Sequence, residues 1–322
     1  MKNRIIKSAL LALSCVMMLS LVVGCTKSYS LTEAKVRFKI ATTTSLYDTG
    51  LWSYLEPQFE AKMKDYKTEE GGIPRVGVEL DIVYAGTGAA INQGKSGNVD
   101  AVIVHDPDQE KPFVADGYGI DKRSFAYNFF MIAGPPTDPA SIKGLEAVDA
   151  FKKIAQAGVN DPAKVKFVSR GDNSGTHGAE KRLWAAAGYD YAKDIQKSAW
   201  YVEAGQGMAP TLVMANEKNA YVLCDGSTFT TLQAKMTLAP LVKKNAAETL
   251  NVYNVYAINP DKIKTAKIAI AKEFTNWLIS DDVQKLIGQY GVKEFGGSLF
   301  YPIADPTFPA IPNLTDNMKP VQ

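Results

Sequence analysis

Two histidines and three cysteines in 322 residues are too few for a centre built from imidazole and thiolate, so no transition-metal site is expected. Cys15 and Cys25 fall within or just after an apolar N-terminal stretch. A chain cleaved before Cys25 and acylated there keeps only Cys224 as a free thiol, which excludes an intramolecular disulfide. Cys224 itself reads as a small buried apolar residue. Charge of neither sign dominates, with 36 basic against 34 acidic residues and a formal net charge of +2. A nucleic-acid partner attracted by bulk basicity therefore has no support. There is no internal repeat and no low-complexity segment.

What is present begins with a targeting pattern. Lys2, Arg4 and Lys7 form a basic start, and the stretch from Ile5 to Val23 is mostly apolar. Leu21-Val22-Val23-Gly24-Cys25 resembles a bacterial lipoprotein signal, with cleavage before Cys25 and lipidation of that residue. The alternative is an ordinary signal peptide or single anchor with an incidental cysteine. Loss of residues 1–24 removes three positive charges, turning the net +2 into about −1. Lipidation would hold the protein to the outer face of a membrane without a spanning helix.

The remaining length is large for one core and suits two lobes. Strand-like runs near 36–41, 77–84, 100–104, 125–133, 165–169 and 220–224 alternate with helical patterns near 49–65, 145–157, 178–187, 207–216 and 262–290. This predicts an α/β fold. Trp52, Trp184 and Trp277 sit at helical spacing and read as core. One crossing between lobes is placed near Tyr127 and the return near Gly226 to Thr231. Lobe 1 then comprises 35–127 plus 228–322, and lobe 2 comprises 128–227.

Three strand-to-helix turns carry hydroxyls and glycines. The longest is Ser169-Arg170-Gly171-Asp172-Asn173-Ser174-Gly175-Thr176-His177, after Val165–Val168 and before a helical run closed by Gly188. The second is Thr42-Thr43-Thr44-Ser45 with Asp48-Thr49-Gly50. The third is Gly86-Thr87-Gly88, directly after the run from Val78 to Tyr84. Free N–H groups at a helix start, hydroxyl donors and an arginine fork together suit a small oxyanion. Singly, Thr-Thr-Thr-Ser is an ordinary cap cluster and Gly-Thr-Gly an ordinary turn. Asp172 has two readings, as an acceptor facing the ligand or as the partner that locks the Arg170 fork.

In order along the chain, these turns resemble the tungstate-binding lipoproteins of bacterial ABC importers, a branch of the type II periplasmic-binding-protein fold. Val104-His105, Tyr127-Asn128, Gly134-Pro135, Glu180, Leu183-Trp184, Trp200-Tyr201 and Gly205-Gln206-Gly207-Met208 extend the match over nearly all of the mature chain. The resemblance implies two lobes joined by two crossings and closing on an oxyanion. It assigns the anion to Thr43, Thr44 and Ser45, to Thr87 and Gly88, and to Arg170, Ser174, Gly175 and Thr176, with Asp172 supporting Arg170. It implies no cofactor, a permease as partner, a monomer, and tungstate or molybdate as cargo. Three places depart from the family pattern: Asn173, where an acidic residue is usual; Cys224 and Gly226, after Tyr221; and Asp106-Pro107-Asp108, after His105. The Tyr221–Thr228 loop is accordingly left outside the expected site.

Tungstate carries no proton at neutral pH, so its host needs donors only, whereas phosphate benefits from an acceptor. Molybdate or phosphate reception by the same architecture is the first alternative. A serine-type hydrolase using Ser174 and His177 is a second; no third group to orient the imidazole is evident. An adhesive or structural surface protein is a third.

Overall fold

The computed structural model describes residues 34–303. The signal-like segment and the lipidation site expected at Cys25 lie outside the described residues.

The chain opens with β1 (Val36–Thr43), a short helix α1 (Thr44–Asp48) and α2 (Leu51–Lys62). The hairpin β2 (Lys67–Glu70) and β3 (Ile73–Val76) leads to β4 (Val78–Ala85), α3 (Thr87–Lys95), β5 (Ala101–Val104), α4 (Pro107–Ala115) and β6 (Gly119–Gly134). Next come α5 (Ala147–Asn160), β7 (Phe167–Ser169), α6 (Gly175–Ala186), β8 (Tyr201–Glu203), α7 (Met208–Glu217), β9 (Val222–Asp225) and α8 (Gly226–Leu232). The chain continues through β10 (Ala239–Val242), β11 (Leu250–Ile258), α9 (Ile268–Leu278), α10 (Asp281–Gln289), α11 (Val292–Phe295) and β12 (Tyr301–Pro302).

The alternation of strands and helices follows the sequence pattern, and the mixed α/β class stands. β1 lies between β4 and β5 and runs parallel to both, while β11 runs antiparallel to β5 and β6. Covered on both faces, β1 and β5 are almost wholly buried, as parallel sheets require. β6 is the spine of the molecule. Its first part, up to Phe129, pairs with β11, and from Phe130 it pairs with β9 and then β10.

The hydrophobic core divides at that same point. Phe38, Trp52, Phe59, Phe125 and Phe274 belong to one cluster, with the Phe59 and Phe274 rings 4.9 Å apart. Phe130, Phe151, Phe167 and Trp184 belong to another, with the Phe151 and Trp184 rings 4.3 Å apart. Along β6, the first cluster ends at Ala126 and the second begins at Phe130. The return does not fall at Gly226–Thr231. Phe229 and Leu238 pack with the second lobe, as do Leu241 and Val242 of β10. Burial of these side chains against β6 and β9 carries the chain past residue 242 before it passes back, at the stretch leading into β11.

Helix boundaries also shift. The helical pattern expected over 262–290 is two helices, because Ser280 is extended and begins a new one. The helix expected from residue 49 is preceded by α1, so the Thr-Thr-Thr-Ser run is the last turn of a strand and the first turn of a helix.

Candidate functional site

Each of the three turns behaves locally as its sequence dictates. Thr43 is extended and hands over to α1 without a side-chain cap. Gly86 is likewise extended ahead of α3, and Thr87 is fully buried as the first helical residue. In the third turn Ser174 caps α6 by accepting from the His177 N–H at 3.3 Å. Gly171 takes φ +61°, and a Cβ there would meet Glu203 Cβ at 2.5 Å, so only glycine fits.

The turns meet across the seam between the lobes. A Cβ placed on Gly86 would lie 3.4 Å from both the carbonyl and a carboxylate oxygen of Asp172, and 3.5 Å from Ser174 Cα. One on Gly88 would lie 2.8 Å from the Asn173 side-chain nitrogen. A fourth turn joins them. A Cβ on Gly207, which precedes α7, would lie 3.4 Å from the Thr44 methyl. Asp48 of α1 accepts from the Ala209 N–H of α7 at 3.2 Å, and burial raises its pKa. The Gly205-Gln206-Gly207-Met208 stretch thus belongs to the seam; its sequence admits both a loop that supports closure and a plain helix entry, with the latter favoured.

Arg170 is 1% exposed, and its guanidinium is nearly spent. Nη2 donates to Asp172 Oδ2 at 2.6 Å and Nε to the Gln206 carbonyl at 3.3 Å. Asp172 Oδ1 accepts from the Ser174 N–H at 3.2 Å, so both carboxylate oxygens are engaged within the turn. Of its two readings, this geometry is that of a partner locking the fork. Arg170 Nη1 is buried without a partner, and so are Thr44 Oγ1 and Thr87 Oγ1. Each of the three turns therefore contributes one buried donor that no described residue satisfies. Leaving a donor so costs about 1–3 kcal/mol, and three at one seam fit an acceptor-rich ligand.

Thr43 and Ser45 are committed differently. Tyr253 donates to Asp225 Oδ2 at 2.7 Å. Its oxygen then accepts from Ser45, 3.1 Å away, and Ser45 accepts from Thr43 at 3.2 Å. This is the arrangement in which every short contact carries a proton, and it directs both hydroxyl protons inward. Thr176 is buried, with Oγ1 4.0 Å from Met208 Sδ. Gly175 packs on His105, whose ring carbon a Cβ would approach to 2.6 Å.

Asp225 is the residue the sequence reading missed. It is fully buried. It accepts from Asn128 at 2.8 Å, from Asn251 at 3.1 Å and from the Thr228 N–H at 2.9 Å. These join β6, β9, α8 and β11, and the Tyr253 link carries the network to the first turn. The Tyr221–Thr228 loop therefore reaches the site through a second sphere of contacts. Asn251 also fixes His105, whose Nδ1 lies 2.6 Å from Asn251 Oδ1. Burial lowers the His105 pKa to about 4, so the ring is neutral.

The geometry gives no support to a Ser174–His177 pair. His177 Nδ1 accepts from the Asn173 N–H at 3.1 Å, and Nε2 lies 2.9 Å from the Tyr191 hydroxyl. Both ring nitrogens are occupied elsewhere, and Ser174 is held by backbone. Among the described residues, no group of three or more His, Cys, Asp or Glu side chains could hold a metal ion. Cys224 is buried, and its pKa is raised by that burial.

Known proteins resemble this chain in sequence and fold. A family model described as a PBP superfamily domain matches residues 30–282. The tungstate-binding protein TupA of Peptoclostridium acidaminophilum is 38% identical over 308 residues, 92% of this chain and 99% of that relative. The crystal structure of the tungstate ABC transporter from Geobacter sulfurreducens matches at 38% identity with a TM-score of 0.67, covering 80% of this chain and 100% of that one. The tungstate-binding protein of Desulfovibrio alaskensis G20 matches at 36% identity with a TM-score of 0.65, covering 83% and 98%. With this coverage and this identity, the chain belongs to the PBP superfamily and, within it, to the family of the tungstate-binding proteins.

Proposed function

We propose that this protein is the extracytoplasmic receptor of an ABC importer, and that it encloses tungstate between its two lobes and presents it to a permease. The observation that carries the reading is the set of unsatisfied buried donors, Thr44 Oγ1, Thr87 Oγ1 and Arg170 Nη1, one on each of three turns that meet at the seam. The names of its relatives point the same way. The first turns of α3 and α6 add main-chain N–H groups, including those of Gly88, Gly175 and Thr176. Both oxygens of Asp172 already accept within the turn, from Arg170 and from the Ser174 N–H, so this carboxylate serves the Arg170 fork rather than the proton of phosphate. That favours an unprotonated dianion. Molybdate meets the same donors as tungstate and is the second cargo. Smaller sulfate would leave some donors unmet, each at about 1–3 kcal/mol.

The protein acts as a binding module and not as an enzyme. It works as a monomer tethered through lipid on Cys25, and among the described residues no helix is long and apolar enough to cross a membrane. The test is calorimetry on protein lacking residues 1–25, titrated with tungstate, molybdate, sulfate and phosphate at fixed salt. Tungstate and molybdate should bind at least a hundredfold more tightly than phosphate or sulfate, the effect of about two unmade bonds. Phosphate binding more tightly than tungstate would remove this reading.

A further inference from the structure

Glu180 is 1% exposed and lies within α6, beyond the first turn that faces the seam. Three donors converge on its carboxylate. Ser169 Oγ donates to Oε2 at 2.6 Å, Tyr201 donates to Oε1 at 2.6 Å, and Trp184 Nε1 donates to Oε1 at 3.0 Å. Ser169 Oγ in turn accepts from the Gly171 N–H at 3.1 Å. Ser169 and Gly171 flank Arg170, so the carboxylate grips the backbone on both sides of that residue through one hydroxyl. The Arg170 carbonyl accepts from the Gly205 N–H at 2.8 Å. With the Asp172 and Gln206 contacts of the guanidinium, the carbonyl, Nε and Nη2 of Arg170 are held by the surroundings, and Nη1 is left free.

The Ser169–Glu180 bond also closes residues 169–180 into a ring. That ring contains Arg170 together with Ser174, Gly175 and Thr176 at the start of α6. β7 and α6 also pack through the Phe167 and Trp184 rings, 5.4 Å apart; the Ser169–Glu180 bond adds a polar tie at the end of β7, beside a turn that includes Gly171 and Asn173 at positive φ. A buried carboxylate is a poor choice for stability alone, since its desolvation is expensive and an apolar replacement is often neutral or better. Its presence therefore calls for a role that geometry can supply.

We infer that Glu180 is a positioning residue of the oxyanion site, holding the free arm of Arg170 at a fixed place relative to the N-terminus of α6 by way of Ser169. The inference rests on the oxyanion reading of the seam. It assigns to a residue that touches no ligand part of the affinity for one.

The experiment is a double-mutant cycle in tungstate affinity, read by calorimetry on wild type, Glu180→Gln, Ser169→Ala and the double variant, with ligand-free melting curves alongside. Glutamine keeps the volume but presents one acceptor instead of two, so about a tenfold loss of affinity is expected. Ser169→Ala cuts the same link without altering the helix and should lose a similar factor. The double variant should bind no more weakly than the weaker single one, because both substitutions break one connection. A general structural role would lower the melting temperature in proportion and give independent losses that multiply. Wild-type affinity in Glu180→Gln, or multiplying losses in the double variant, overturns the inference. If Glu180→Gln fails to fold, Ser169→Ala decides alone, and unchanged affinity there overturns it. Wild-type protein that takes up none of the four anions defeats the oxyanion reading and this inference together. Wild-type binding with unaffected variants defeats only this one.

Discussion

Arg170 contributes one free nitrogen to the seam, yet it is the cation that the long turn supplies, and Asp172 already balances its charge. For Arg170→Ala we expect tungstate affinity to fall by about 2–5 kcal/mol, roughly thirtyfold to several thousandfold, because the anion loses a desolvated charged partner and Asp172 is left unpaired. Unchanged affinity in a calorimetric titration would mean that Nη1 faces something else. Two buried groups give pH tests at the same scale. Burial pushes Glu180 up to about 7, so the folded state holds its proton more tightly than the unfolded chain does. The stability it contributes is present below about pH 4.5 and lost as pH rises through 7. Melting temperatures of Glu180→Gln relative to wild type should therefore rise across that window, by at most about 3 kcal/mol in stability. Burial lowers His177 to about 4, so its contribution is present above about pH 6.5 and lost as pH falls toward 4. His177→Gln should narrow its gap from wild type, or overtake it, on acidification. Parallel curves in either case would contradict the assignment. At this scale the sequence points to candidates whose chemistry is local. Arg170, Thr44 and Thr87 sit in turns whose spacing announces them. Asp225 and Glu180 were not legible as part of the site, because their importance comes from Tyr253 and Tyr201, whose contacts only the fold creates.

Among the elements, α6 is the one whose sequence pulls in two directions. Gly175 and Gly178 are poor helix residues, yet a Cβ on Gly178 would meet the Asp106 carboxylate at 2.4 Å. The glycines let α6 lie against the start of α4 across the seam. Gly178→Ala should raise the intrinsic stability of α6 by up to about 1 kcal/mol while holding the lobes apart. Calorimetry and melting curves should thus move in opposite senses, with weaker tungstate binding and unchanged or higher ligand-free stability. Tighter binding would show that the helix and α4 are not opposed when the ligand is held. The helices read from periodicity came through with shifted ends, and the split between α9 and α10 turned on a single serine. β11 was missed, although Val252, Tyr253, Val255 and Tyr256 are good strand formers. Their run carries asparagines at 251 and 254, which break the alternation. Those asparagines are buried in polar networks with Asn128 and Glu110, which no local pattern reveals.

For the molecule as a whole, closure depends on contacts that are neither ligand nor core. Arg182 of α6 reaches Asp106, which caps α4, at 2.7 Å and Asp108 of α4 at 2.8 Å, and Gln109 donates to the Asn173 carbonyl at 3.0 Å. Arg182 is 40% exposed at its side chain, so this latch contributes modestly. Arg182→Ala should weaken tungstate binding by less than tenfold and enlarge the ligand-free radius of gyration in solution scattering, with compaction restored on adding tungstate. No change in either quantity would show that the lobes are held by the core alone. The two-lobe plan was visible from length and alternation. The return crossing was expected near Gly226 to Thr231, whereas the packing of Phe229, Leu238, Leu241 and Val242 keeps that segment with the second lobe. The central claim is that turns from both lobes aim unsatisfied donors at one point. Anomalous diffraction from crystals grown with tungstate tests it most directly. A single tungsten peak is expected at the seam, with Thr44 Oγ1, Thr87 Oγ1 and Arg170 Nη1 each in hydrogen-bonding reach of an oxygen of the anion. A peak at another place, or one at the seam that leaves those three atoms unengaged, would contradict it.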